Sequence, residues 1–548
     1  MLAQQPKRKI ESQEENIRNS ADFSFNAMTP RRNPFLFYLS LILLTVILTF
    51  GVNLPDFDLW ARLAVGSIFF QTGSILKHDI FSYLPTNELW IDHEWGSGVV
   101  FYCFAKFFGD GGIFFLKGTV VFALLILVLK IIRLQSDRDP GVLFFGFLVF
   151  SLFPGLGSLV RCQIFSYLFF TLWLYGLEKI KNGNHQIIWM FPASMLMWVN
   201  LHGGFLIGVG LVIIYLLGEL LNRRNASVYF FILLAILPVS LINPYGIKLW
   251  PFIVNAATMP RPYIYEWTSI SLAGPYYVFG GLKIHALVGF FILAALVLSV
   301  GMKVLREKEK PDWTRILLVA ILFYFSVRHQ RHAMFFILAV SGLFYHRFIE
   351  LFAPLRKFLE NFSARLKIYP AAEKFTRGLP YFLLIIVLFY QWPYFSRTII
   401  VDRFVYPVGS FEFIRINHLS GNLATIYNWG SYALWKLYPQ CRVMIDGRYE
   451  EVYPQNIYLM AMQLSEHTVN WRDILIKYPA DILVLPKDRY APADMTALSD
   501  WQIVYTDFAS VVLLPKARVS ERYIYPTIMS LFNFKEDLSK TIVFRKTM

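Results

Sequence analysis

Between Pro34 and Trp60 the chain reads PFLFYLSLILLTVILTFGVNLPDFDLW. No charged residue interrupts it from Pro34 to Val52, and a helix needs roughly 20 apolar residues to cross a bilayer. A polar segment carrying Lys7, Arg8, Lys9, Arg31 and Arg32 precedes the run, and no small-residue cleavage signal follows it. It reads as a retained anchor whose basic tail, residues 1–33, stays in the cytoplasm. The far end of that span delivers Asp56 and Asp58 to the outer surface.

The same alternation continues to residue 396. Apolar segments are predicted to span at 34–52, 112–132, 141–157, 162–178, 187–200, 204–221, 226–242, 285–304, 315–328, 332–348 and 379–396. The loops between them are of two kinds. Lys130–Arg138, Glu178–Gln186, Asn222–Asn225 and Lys303–Arg315 are short and basic, as cytoplasmic loops are. The others, including Ile91–Trp95, Asn200–Gly204 and Arg328–His332, are rich in Asp, Glu, His, Trp, Asn and Gly. Ser97–Phe108 is apolar but only about 18 Å long as a helix. Counting it as a crossing would turn the basic loops outward, so it is predicted to be half-inserted or interfacial. The result is a polytopic α-helical membrane protein of about eleven crossings. A second interfacial helix is expected over Leu59–Thr72, ended by Gly73.

Composition agrees. Of 548 residues 56% are hydrophobic and only 16% charged, against roughly 25% charged in soluble domains. The net charge of +15 sits largely in the tail and short loops, where it sets orientation and meets membrane lipid headgroups, so no nucleic-acid partner is expected. Three scattered cysteines make neither a disulfide framework nor a metal cluster. After Arg397 the pattern changes to short strand-like runs at 422–427, 442–445, 481–485, 501–505 and 510–514, with helical stretches at 430–437 and 456–465. Residues 397–548 are therefore expected to form an extracytoplasmic α/β domain and tail, beside a membrane domain over 34–396 with an outward loop at 53–96. Asp446-Gly447-Arg448 should be a tight turn. No Walker or dinucleotide-binding glycine pattern is present, which counts against an ATP-driven pump.

The outward loops hold the candidate chemistry. Asp56 and Asp58 suit a general base or a divalent-metal site, with helix capping as the plainer role for an Asp there. His93 and Glu94 can ligate a metal or move a proton, and Asp56, Asp58 and His93 are the candidate metal ligands. Arg161, Arg328 and Arg331 lie near outer span ends, where an arginine either binds an anion or snorkels to headgroups. Arg328–His332 holds four ionisable residues in five positions, which favours a phosphate clamp including His332. His202 in Asn200–Gly204 is a polar lining or a satisfied buried histidine.

An acidic residue after the first span, an interfacial helix, a second acidic motif and many further spans capped by an outward domain resemble the GT-C superfamily. The pieces DFDLWARLAVG, HDIFSY, IDHEWGSG and FFGDGG carry the likeness most closely. These are integral-membrane glycosyltransferases using polyprenyl-phosphate sugar donors, as in the protein O-mannosyltransferase and lipid A aminoarabinose transferase families. The resemblance implies transfer of a sugar to a lipid, glycan or protein hydroxyl on the outer face of a bacterial inner membrane. It places the base or metal ligand at Asp58, with Asp56 its neighbour; Asp-Phe-Asp replaces the Asp-Glu of the mannosyltransferases. No cofactor beyond a divalent metal is implied. The WWDYG motif of oligosaccharyltransferases is absent, so Asn glycosylation is not expected. Two other classes compete: a transporter or flippase of lipid-linked saccharide, and a non-catalytic envelope-assembly scaffold.

Overall fold

The computed structural model describes residues 34–542, apart from 52–53, 137–139, 158–159, 262, 280–281, 366–380, 390–394, 396–397, 491–493, 495–497 and 533. Helices follow the apolar segments: α1 (Pro34–Phe50), α2 (Phe57–Thr72), α3 (Trp95–Gln135), α4 (Val142–Leu156), α5 (Gln163–Lys181), α6 (Met190–Leu201), α7 (Phe205–Leu221), α8 (Ser227–Val239), α9 (Leu249–Thr258), α10 (Val288–Glu307), α11 (Trp313–Arg328), α12 (Ala333–Leu343) and α13 (Tyr345–Arg365). The predicted span at 379–396 lies partly outside the described residues. By length and composition, α3 and α10 are able to cross a membrane, and a third span arises if Gln330–Leu343 and Tyr345–Pro354, bent by 65°, count as one. α1, α4, α7 and α8 are apolar but shorter.

The segment expected to lie in the membrane interface is a helix, capped at its start by Asp56, whose Oδ1 accepts the Asp58 N–H at 3.1 Å; Leu59–Ile68 are buried on every side, so it packs within the protein. The short apolar segment before the second span is helical too, and α3 breaks at Gly109, where φ is 58° and ψ −146°. A side chain there would be strained, so glycine makes the joint between the two halves.

The C-terminal region carries α14 (Val408–Ile416), α15 (Tyr427–Leu437), α16 (Tyr449–Val452), α17 (Gln455–Ser465), α18 (Asp473–Lys477) and α19 (Ile528–Phe532). Its strands are β3 (Gly421–Thr425), β4 (Cys441–Val443), β5 (Ile482–Pro486), β6 (Trp501–Thr506) and β7 (Ser510–Pro515), in the order β4-β3-β5-β7-β6. β3 pairs in parallel with β4 and β5, and β7 runs antiparallel to β5 and β6. A separate hairpin, β1 (Tyr276–Phe279) and β2 (Leu282–His285), lies in a long loop that the sequence reading left without structure.

The first loop and the C-terminal domain pack as one body. α15 lies on α2, with Trp60 and Tyr432 ring centres 4.9 Å apart. The loop also extends the sheet: Val443 donates to the Phe81 carbonyl at 2.8 Å and its own carbonyl accepts from Tyr83 at 3.1 Å. The chain end returns to α2, where the Ile542 N–H bonds Ser67 Oγ at 2.9 Å.

Candidate active site

A cavity of about 220 Å³ opens where α2, the start of α3, the α6–α7 turn, α9 and the C-terminal domain meet. Asp58, His93, Glu94, Arg161, His202, Arg331 and His332 all line it. The two acidic groups of the first loop thus converge, because α2 carries Asp58 in its first turn and Glu94 stands at the start of α3. Asp56 sits just behind, 3.3 Å from Arg161 Nε. Arg328 is exposed and lies outside the cavity lining.

Asp58 and Glu94 live in opposite electrostatic settings. Burial and the neighbouring Asp56 push the Asp58 carboxyl up to about 8, against the pull of Arg161, although part of its side chain opens on the cavity. Burial works on Glu94 in the same direction, but Arg62 and then His93 hold it down at about 2. Two carboxylates whose acidities are driven apart can serve two roles, one moving a proton and the other holding charge.

The histidines differ as well. His202 Nδ1 accepts the Gly204 N–H at 2.9 Å and lies 2.7 Å from Ser166 Oγ, which itself accepts from Trp198 at 2.8 Å. With Nδ1 accepting, the proton sits on Nε2, 3.3 Å from Glu94 Oε1. Burial pushes His202 down to about 3, so it is a neutral donor. Burial acts on His93 likewise, but its bond to Glu451 and the charges of Glu451 and Glu94 raise it to about 9. His93 Nδ1 is 2.9 Å from Glu451 Oε1.

Arg161 is already paired with Asp56, Asp58 and Glu266. The less committed cations stand at the opposite wall. Trp267 carries Arg261 over its ring at 3.8 Å and Arg331 at 4.5 Å. Arg261 also meets Glu450 at 3.4 Å. Two short turns fix this group: Gln330 Nε2 donates to the Tyr265 carbonyl at 2.7 Å, and the Gln330 N–H to that of Thr268 at 3.1 Å.

The sequence reading did not single out Arg62, Arg261, Glu266, Trp267, Tyr427, Tyr449, Glu450 or Glu451, all of which line the cavity. Arg62 had a signal, as the lone basic residue in the apolar helix 59–72. Arg261–Trp267 had another in its density of Arg, Tyr, Glu and Trp. Glu450 and Glu451 follow Asp446-Gly447-Arg448, which is a tight turn buried under the first loop. Arg448 bonds Asp446 at 2.7 and 2.8 Å and Asp79 at 2.7 Å, and stacks near Phe81 and Trp90. The turn brings Gly447 so close to Asp58 that an added Cβ would overlap Asp58 Oδ1.

The sequence makes Asp56, Asp58 and His93 candidate ligands for a divalent metal without requiring one. His93, Glu94 and Glu451 each offer a ligand atom within 4.8 Å of the others, but Asp56 and Asp58 turn to Arg161 instead. Moreover, Arg62 occupies the same oxygens, 3.1 Å from Glu451 and 3.5 Å from Glu94, while also bonding Asp92 at 2.5 Å. A guanidinium keeps its charge at any working pH. With that cation among the carboxylates, the donor set does not fit a second, doubly charged one.

No family model and no curated protein sequence matches this chain. Solved structures do. The archaeal oligosaccharyltransferase AglB from Archaeoglobus fulgidus, in complex with an inhibitory peptide and a dolichol-phosphate, aligns over 82% of this chain and 69% of its own, with 11% identity and a TM-score of 0.53. The Archaeoglobus fulgidus oligosaccharyltransferase tethered with an acceptor peptide gives 12% identity and 0.51 over the same shares. ArnT from Cupriavidus metallidurans bound to undecaprenyl phosphate covers 87% of this chain and 97% of its own at 12% identity, with a looser TM-score of 0.45. The chain shares the fold of the two oligosaccharyltransferase structures.

Proposed function

We propose that this chain is a membrane glycosyltransferase that moves a sugar from a polyprenyl-phosphate donor to an acceptor hydroxyl of a lipid, glycan or protein. The observation that carries this is Asp58, a carboxyl with raised proton affinity facing a cavity that also presents Arg331. A base with a pKa near working pH is effective in proton transfer. Asp58 takes the acceptor's proton as its oxygen attacks the anomeric carbon. The bond from that carbon to the lipid phosphate breaks, and the phosphate departs with the electron pair. Arg331, with Arg261 beside it, stabilises the charge that develops there. Glu94 stays ionised and orients the sugar together with the His202 Nε2–H.

The sidedness follows from the charge pattern. The cavity lies at one end of α5, while its other end carries Glu178 and Lys181 beside the basic loops. We place the basic end inside and the cavity on the outer face of a bacterial inner membrane, with the N-terminus inside and the C-terminal domain outside. About eleven crossings fit that arrangement.

The test is sugar transfer by the purified chain in lipid nanodiscs, using extracts of polyprenyl-phosphate sugars as donors. Wild type should release free polyprenyl phosphate and label an acceptor, and Asp58→Asn should lose transfer while retaining donor binding. Full transfer by that variant would remove Asp58 as the base.

A further inference from the structure

We propose that Arg62, assisted by His93, occupies the place of a divalent cation, so that the acidic floor of this cavity works without a metal. Three carboxylates gather around one guanidinium: Asp92 at 2.5 Å from Nη1, Glu451 at 3.1 Å from Nη2 and Glu94 at 3.5 Å from Nε. The Arg62 side chain is only 4% exposed, so water does little of this compensation. His93 adds a contact of 2.9 Å to Glu451. Trp90 Nε1 donates to the same carboxylate at 3.0 Å, and the Glu94 N–H donates to Asp92 at 3.1 Å. The Glu94 and Glu451 oxygens that a cation would claim therefore already face donors from the chain itself, while Asp92 Oδ2 keeps none.

Arg62 also joins parts distant in sequence. Asp92 and Glu94 belong to the first loop, and Glu451 to the C-terminal domain. A metal commonly performs that bridging by binding ligands from separate segments. Here a residue fixed within α2 does so, with a planar fork of donors suited to several carboxylates. Arg62 is a positioning residue: it holds Glu94 in the cavity and ties Glu451 beneath it.

The activity arm of the test rests on the transfer reading above; the binding arm does not. Titration of the full-length protein in nanodiscs with Mn²⁺, followed by electron paramagnetic resonance, should give no site tighter than about 1 mM. Arg62→Gln frees His93, Glu94 and Glu451, and should gain Mn²⁺ affinity by at least about tenfold. Arg62→Lys, which keeps the charge, should stay near wild type and serves where Arg62→Gln does not fold. Transfer by wild type should persist in EDTA. Micromolar Mn²⁺ or Zn²⁺ binding by wild type, or transfer lost in EDTA and restored by either ion, would overturn the proposal. A folded Arg62→Gln that gains no affinity would remove Arg62 from this role. Should no variant or condition show transfer, the metal titration still decides the matter.

Discussion

Two buried ion-pair networks stand at opposite ends of α5, about 22 Å apart at 1.5 Å per residue. Both border a cavity, since Lys181 and Glu219 line one at the basic end, and they differ in how fully their polar atoms are paired. At the basic end, Glu178 takes two bonds from Arg315 at 2.5 and 2.7 Å, one from Gln135 at 2.5 Å and another from Tyr215. Lys181 beside it bridges Asp312 at 2.7 Å and Glu219 at 3.1 Å. At the other end, Arg62 Nε, Asp92 Oδ2, Arg161 Nε and Arg261 Nε are buried without a hydrogen bond. A satisfied network fixes helices; an incompletely satisfied one beside a void has capacity left for a ligand. That difference is what favours the Asp58 end as the candidate site in a molecule with charges buried at both ends.

Substitutions should separate the two ends cleanly. Asp58→Asn should cut transfer by about 10²–10⁴ with little change in thermal stability, as loss of a general base does. Glu178→Gln should do the reverse: it strands Arg315 and costs about 3 kcal/mol of stability, visible as a lowered Tm, while kcat of the surviving protein holds. Gly447→Ala comes next. Its Cβ would displace the Asp58 carboxylate, so kcat should fall about 10²-fold from misplacement of the base alone. Smaller again is Arg331→Ala, which should raise KM for the lipid donor about tenfold, whereas Arg328→Ala should leave it unchanged because Arg328 lies outside the cavity. Equal effects of the two arginines would break the assignment.

The finest contrast is in pH. With Asp58 raised to about 8, transfer should climb about tenfold per unit as pH rises towards that value and then level off. The residual activity of Asp58→Asn should lack this limb. Stability carries the opposite sign. The folded protein retains a proton on Asp58 that an unfolded chain, with its ordinary value near 3.8, has already released. That group therefore weighs against the fold as pH rises from about 4 to about 8.

Much of this was readable from residue patterns. Short apolar runs bounded by turn residues marked all five strands of the C-terminal sheet, β5 among them as a continuous run buried at every position. The helix at 59–72, its end at Gly73 and the break before residue 112 were marked by apolar spacing and glycine. Asp58, His93, Glu94, Arg161, His202, Arg331 and His332 were found as polar residues left at span ends, and they share one cavity. The hairpin at 276–285 was not, because its four-residue strands are too short for a periodicity to stand out.

What sequence alone determined is the alternation of apolar helices and polar loops, because burial in lipid or core imposes a local period on the residues. Only the tertiary structure decided the charge state and the partners of those loops. Arg62 reaches Glu451 across 389 positions, and Arg261 and Arg331 meet over one indole from separate turns. Such compensation depends on distance in space and on exclusion of water, and neither is recorded in the order of residues along the chain.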